Sequence, residues 1–160
     1  MRIILAASVV FALTFVVDAL QTRPDAAMAS AAKALIAAVG ETPAKAKLVW
    51  AFDSEERFNW HFIPRPRKGL PLFEMAAPQR NLAHALLAAG LSQQGYIKAT
   101  TIMSLDDILR IMEKDATGRR NADGYYFSVF GEPGENNVWA YRVEGHHVRS
   151  EEHTSELQSR

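Results

Sequence analysis

Two groups of polar side chains in this chain of 160 residues are of types that do chemistry. His146 and His147 stand side by side, and imidazoles are the usual metal ligands and acid–base groups near neutral pH. In an extended strand adjacent side chains point to opposite faces. Trp139, Tyr141, Val143, Gly145 and His147 then share an apolar face, and Arg142, Glu144 and His146 share the other. Both His reach one centre only if Gly145 introduces a bulge or a turn. Otherwise one His is hydrogen-bonded against the core and the other pairs with Glu144. The second group is Glu74, Gln79, Arg80 and His84, around the start of a helix. Arg80 and His84 are i, i+4 neighbours on one face. Arg with Gln at a helix start can hold a carboxylate or phosphate, while the plainer reading is a Glu74–Arg80 pair that orients the Pro-rich loop.

Other candidates have simpler explanations. His61 faces away from Phe58, Trp60 and Phe62 and reads as a polar sheet residue. Arg65, Arg67 and Lys68 make a basic loop between prolines, an anion site or a solvated turn. Asp106 and Asp107 are accounted for as carboxylates at a helix start. Gly131 and Gly134 lie in a hairpin, not in the strand-to-helix context of a dinucleotide fingerprint. Neither a nucleophile elbow nor a His-Glu-x-x-His motif occurs.

The elements that must position these residues are legible from periodicity and punctuation. Asp25 caps an Ala-rich helix running to about Val39, stopped by Gly40, with Met28, Ala31, Ala32, Leu35 and Val39 on its apolar face. Leu48, Trp50 and Phe52, then Phe58, Trp60 and Phe62, alternate on either side of the polar turn Asp53–Glu56, which predicts a β-hairpin with an aromatic inner face. Pro78 opens a helix closed by Gly90, with Leu82, Leu86 and Ala89 buried. Ser92 caps a second helix with Tyr96, Ala99, Thr100 and Met103 at helical spacing. Ser104–Asp107 resembles a capping box and opens a third, with Leu105, Ile108, Leu109 and Met112 on one face. After the polar connection Thr117–Gly124, Tyr125–Phe130 and Val138–Val148 read as a second hairpin around the turn 131–137. A helix, a hairpin, three helices and a hairpin predict an α+β fold.

Composition narrows the function classes. The chain has 18 basic and 18 acidic side chains, five His and no Cys, so a duplex nucleic-acid binder, a disulfide scaffold, a thiol nucleophile and a zinc finger are all excluded. Arg2 followed by the uncharged apolar run Ile3–Val17 and the small residue Ala19 predicts a signal peptide over 1–19, with a periplasmic or extracellular product. The alternative is a retained anchor. At ~1.5 Å per residue the run covers roughly 22 Å of a ~30 Å hydrocarbon core, short for a span. Removing the leader should leave no stable membrane span.

Residues 20–148 are then expected to form the N-terminal portion of one α+β domain. Residues 149–160, with Leu157 as their one large aliphatic, lack either periodicity and resemble the translation of a sequencing-library adapter, which predicts a non-native tail. The chain is thus expected to be a fragment cut within a sheet, with Trp139, Tyr141 and Val143 left uncovered and an edge unpaired.

One ordered set of residues carries a resemblance: Trp60-His61-Phe62-Ile63-Pro64, Arg67-Lys68-Gly69-Leu70, Glu74-Met75, Gln79-Arg80, Leu91-Ser92 with Gly95-Tyr96, Ile102-Met103, Tyr126 to Gly131 with Pro133, and Trp139 through Arg142 to Glu144-Gly145-His146-His147. Over Leu48–Val148 the chain resembles the bacterial family known as domain of unknown function 3500. It departs at Ala140 and Tyr141, where the family suggests Gly and Trp, and at Arg149, where the family continues as a strand. The resemblance implies longer proteins and carries over no activity. It singles out Trp60, Arg67, Glu74, Gln79, Arg80, His146 and His147 as motif positions.

These readings together predict an exported protein, hydrolase-like, with His146 or His147 as ligand or base, Glu74 as carboxylate partner, and Arg80, Gln79, Arg67 and Trp60 around a small anionic ligand. The alternative is a non-catalytic binding protein using the same pocket. Neither a cofactor nor a metal is specified by the sequence.

Overall fold

A computed structural model describes residues 24–153; the expected signal peptide and the end of the tail lie outside them. Helix α1 (Pro24–Val39) ends at Gly40, whose φ of 62° is the left-handed stop anticipated for it. A short helix α2 (Lys45–Leu48) leads into β1 (Val49–Trp50). After an irregular segment come β2 (Leu70–Pro71), helices α3 (Ala77–Ala89) and α4 (Gln93–Met112), and strands β3 (Tyr126–Phe130), β4 (Ala140–Glu144) and β5 (Arg149–His153). The fold is α+β, as expected.

Among the described residues the strands form one mixed sheet in the order β1-β3-β4-β5, with β1 parallel to β3, and β2 also pairing with β3. In the β3–β4 hairpin Phe127 faces Val143 and Val129 faces Tyr141. With Trp139 these side chains join Leu35, Leu86 and Leu87 from α1 and α3 in the core. The face expected to be left bare at Trp139, Tyr141 and Val143 is therefore fully buried, because the two helices pack on it.

Three expectations are revised. The aromatic hairpin does not form: Glu55–Phe58 is a 3₁₀ turn capped by Ser54, and residues 59–69 are irregular. Phe58, Trp60 and Phe62 consequently lie outside the core, exposed. Helix α4 runs unbroken through Ser104, so the second and third helices are one. Ser104 turns its hydroxyl back to the Thr101 carbonyl at 2.8 Å instead of capping. Residues 149–153 form β5, antiparallel to β4, so the edge expected to be left unpaired after Val148 is paired. An edge strand is held by backbone bonds and needs no apolar alternation, so a charged segment such as Arg149-Ser150-Glu151 serves.

The second face of the sheet is built from charge. Arg142 and Glu144 point away from the helices, beside Ser128 and Tyr126 in register, and both are buried. Arg142 Nη2 lies 2.8 Å from Glu144 Oε1 and 3.1 Å from Glu56 Oε1; Arg67 Nε donates to Glu144 Oε2 at 3.1 Å. Arg142 also donates to the carbonyls of Glu56 and Arg57, at 2.5 and 3.1 Å. Segment 51–69 is thereby fastened across the sheet by a chain of ion pairs, Glu56–Arg142–Glu144–Arg67. Burial pushes the Glu144 carboxyl up against the pull of the two guanidiniums. Glu56, with Asn59, Lys68 and Arg142 around it, is held below the ordinary carboxylate value. Removing one member strands the others: Arg142→Ala is expected to cost about 3–5 kcal/mol, read as a lowered midpoint in urea unfolding, with Arg142→Lys recovering only part because Lys lacks the fork.

Candidate functional site

The turn after β4 decides what the His pair can do. Gly145 N–H donates to the Val148 carbonyl at 2.9 Å, which closes a two-residue turn at His146 and His147, with His147 at φ 55°. The strand expected to reach Val148 thus stops at Glu144, and the turn route weighed for Gly145 is the one taken. The imidazole centroids stand 4.3 Å apart. A Cβ at Gly145 would lie 2.2 Å from the ring of Tyr125, so only glycine lets that phenol pass beneath the turn.

Tyr125 uses the passage to reach Asp106. Its hydroxyl donates to Asp106 Oδ2 at 2.9 Å, and the other oxygen, Oδ1, takes a bond from His146 Nδ1 at 2.8 Å. Asp106 is 2 % exposed. The carboxylate bond requires a proton on Nδ1, which leaves Nε2 as the acceptor. Burial and the Asp106 bond push the Tyr125 hydroxyl far above its usual value, so it stays a donor.

A third partner comes from the loop after α4. Asp115 accepts from Thr117 N–H at 2.9 Å, from its hydroxyl at 2.5 Å and from Arg120 N–H at 2.7 Å; these bonds hold its carboxyl down, at about 2. That turn aims Arg120 at Glu113, to which it donates at 2.7 and 2.9 Å, and its Nη1 lies 3.1 Å from His146 Nε2.

His146 and Asp106 sit on the wall of a cleft of about 410 Å³. Its other walls are the segment Pro64–Arg67, Phe73, Tyr126 and the loop 117–121 with Arg119. Arg67 is spent on structure, donating to Glu144 and to the carbonyls of His61, Ile63, Arg65 and Gly145. The exposed Arg65 and Arg119 are the cations a ligand can recruit. Among the described residues no cluster of three or more His, Asp or Glu has metal-site geometry.

The other residues singled out from sequence are elsewhere. Glu74 pairs with Lys47 at 2.5 Å, so the carboxylate that meets a His is Asp106. Arg80 lies 3.7 Å from Asp123, and His84 Nδ1 3.2 Å from the Tyr96 hydroxyl. Gln79 accepts from Ala76 N–H and donates to the Ala38 carbonyl, tying α3 to the end of α1. None of Glu74, Gln79 and Arg80 lines the cleft. His147 is exposed and stacks on Phe62, and Trp60 lies under Arg149. The cleft thus gathers Arg67 and His146 from the expected set and adds Asp106 and Arg119, while Tyr125 and Arg120 bond to Asp106 and His146 from behind its wall.

Residues 21–156 match the profile described as protein of unknown function (DUF3500). The chain belongs to that family. Searches of the curated proteins and of the solved structures return no match. The family confirms the resemblance drawn from the motifs and assigns no chemistry, so the cleft must be argued from its own geometry. Asp106→Asn is expected to release the imidazole: nitrogen-detected NMR should show His146 in the Nδ1–H tautomer in the wild type, and a mixed population in the variant.

Proposed function

We propose that the protein is exported and that its cleft is an active site for hydrolysis of a small anionic substrate, with His146 as general base. The observation that carries this reading is the 2.8 Å bond from His146 Nδ1 to a buried carboxylate, at the wall of a cleft with the exposed Arg65 and with Arg119, which is also exposed and pairs with Glu113 at 3.4 Å. A carboxylate behind an imidazole sets its tautomer and orientation and stabilises the imidazolium formed on proton uptake. The substrate anion pairs with Arg65 and Arg119. His146 Nε2 takes a proton from water, the water oxygen attacks the substrate, and the proton returns to the leaving group. Phe73 and Tyr126 supply an apolar wall for the remainder of the molecule. Export rests on the apolar run Ile3–Val17.

A non-catalytic binding protein is the second reading, favoured by one contact: Arg120 Nη1 already covers Nε2. In the catalytic reading the substrate anion draws Arg120 toward itself and uncovers the base. A panel of p-nitrophenyl esters, including the phosphate, separates the two. Turnover of an anionic ester, reduced by about 10²–10⁴ in His146→Gln and weakened mainly in KM by Arg119→Ala, supports the enzyme. Calorimetric binding of such an anion without turnover, unchanged in His146→Gln, supports the binding protein.

A further inference from the structure

Ahead of the cleft wall the chain displays a strip that the catalytic reading does not use. Phe58, Trp60, Phe62 and Ile63 are 66, 40, 51 and 42 % exposed. They fall within one short stretch, residues 58–63, and are not scattered surface apolars. The loop is held in this pose from within. Arg67 Nη2 donates to the His61 carbonyl at 2.5 Å and the Ile63 carbonyl at 2.9 Å, and His147 N–H donates to the Phe62 carbonyl at 3.3 Å. Trp60 and Phe62 are 6.3 Å apart, and Phe62 stacks on His147 at 6.4 Å. The rings are fixed outward on a clamped backbone.

Charge says what covers them. From Arg57 to Phe73 the chain carries Arg57, Arg65, Arg67 and Lys68 and no Asp or Glu; Arg67 is spent on Glu144, and Lys68 reaches Glu56 at 3.3 Å while two-thirds of its side chain stays exposed. Arg57 stacks on Phe58 at 4.7 Å, and Arg149, paired with Glu151 at 2.6 Å, lies over Trp60 at 5.1 Å. Aromatic side chains with Trp at the centre and cations at the rim are the composition that seats in the boundary between lipid headgroups and acyl chains, with the cations on anionic headgroups. No described helix is long and apolar enough to cross a membrane, so the contact is peripheral.

We infer that the loop 58–68 docks the protein on an anionic phospholipid surface, with Phe58, Trp60, Phe62 and Ile63 inserted and Arg57 and Lys68 toward the phosphates. Because Pro64–Arg67 also walls the cleft, docking holds the cleft close to the lipid boundary.

The test is tryptophan fluorescence of the full chain on vesicles of phosphatidylglycerol and phosphatidylcholine, against phosphatidylcholine alone, each with and without brominated acyl chains. The expected result is a blue-shifted emission quenched by bromine on the anionic vesicles, lost in Trp60→Phe, which retains Trp50 and Trp139. Phe58→Ser with Phe62→Ser should weaken the quenching at least about tenfold, and high salt should weaken it further. Absence of Trp60 quenching overturns the proposal. So does co-sedimentation with Trp60 unquenched, which reports attachment through the apolar run 3–17, and so does quenching equal on neutral and anionic vesicles. The wild-type and Trp60→Phe comparison decides the matter even if the serine variant fails to fold.

Discussion

Four buried charges on one face of the sheet constrain the rest of the structure. A guanidinium or carboxylate removed from water costs several kcal/mol and is tolerated only with its partners in place. Arg142 and Glu144 are rooted in β4, whose register against β3 is set by apolar packing on the opposite face. Their partners, Glu56 and Arg67, come from a segment with little regular structure. The strand fixes where the charges are, and the charges fix where the segment lies. Pairing of this kind is weak as a source of stability and strong as a source of position, since a displaced loop leaves ions unpaired.

A second cluster follows the same logic on the other side of the turn. Asp106 projects from α4 into a buried position where Tyr125 and His146 share its two oxygens. The two clusters meet at Gly145: Arg67 donates to its carbonyl, and Tyr125 passes where its side chain would be. His146 is therefore placed by a hairpin, a helix and a loop that are each held independently. An imidazole set in this way keeps its orientation without help from a ligand.

The regular elements were legible because local rules dominate them. The Gly40 stop, the Ser92 cap and the β3–β4 alternation all appear where periodicity puts them. Asp106 was not legible, and the cause is specific. Ala99 and Met103 mark the buried stripe of α4, and Asp106 continues it one turn on. Starting a new helix at Ser104 resets the phase and turns Asp106 into an ordinary helix-start acid. The cleft as a whole had no local signature, since Arg67, Asp106, Arg119 and His146 come from four separated segments. Glu74 and Arg80 looked like a pair because they are near in sequence, yet each found another partner: Lys47 from α2 and Asp123 from the loop before β3. Only the Gly145-His146-His147 string carried the requirement for a turn on its face.

The failed aromatic hairpin follows from a comparison of magnitudes. Alternation at Phe58, Trp60 and Phe62 favours a strand that buries its rings, at about 1.5–3 kcal/mol for each side chain taken from water. Such a strand would turn the carbonyls of His61 and Ile63 into a ladder and away from Arg67. Arg67 would then face Glu144 with most of its donors unfilled, in a setting where an incompletely partnered buried ion costs about 3–5 kcal/mol. Glu56 would also lose its approach to Arg142. The polar requirement involves two ion pairs and several carbonyls at once, and together they offset what the rings gain. The loop therefore satisfies the charges inward and presents its aromatic side chains outward, and the same clamp that shapes the cleft wall leaves the strip exposed beside it.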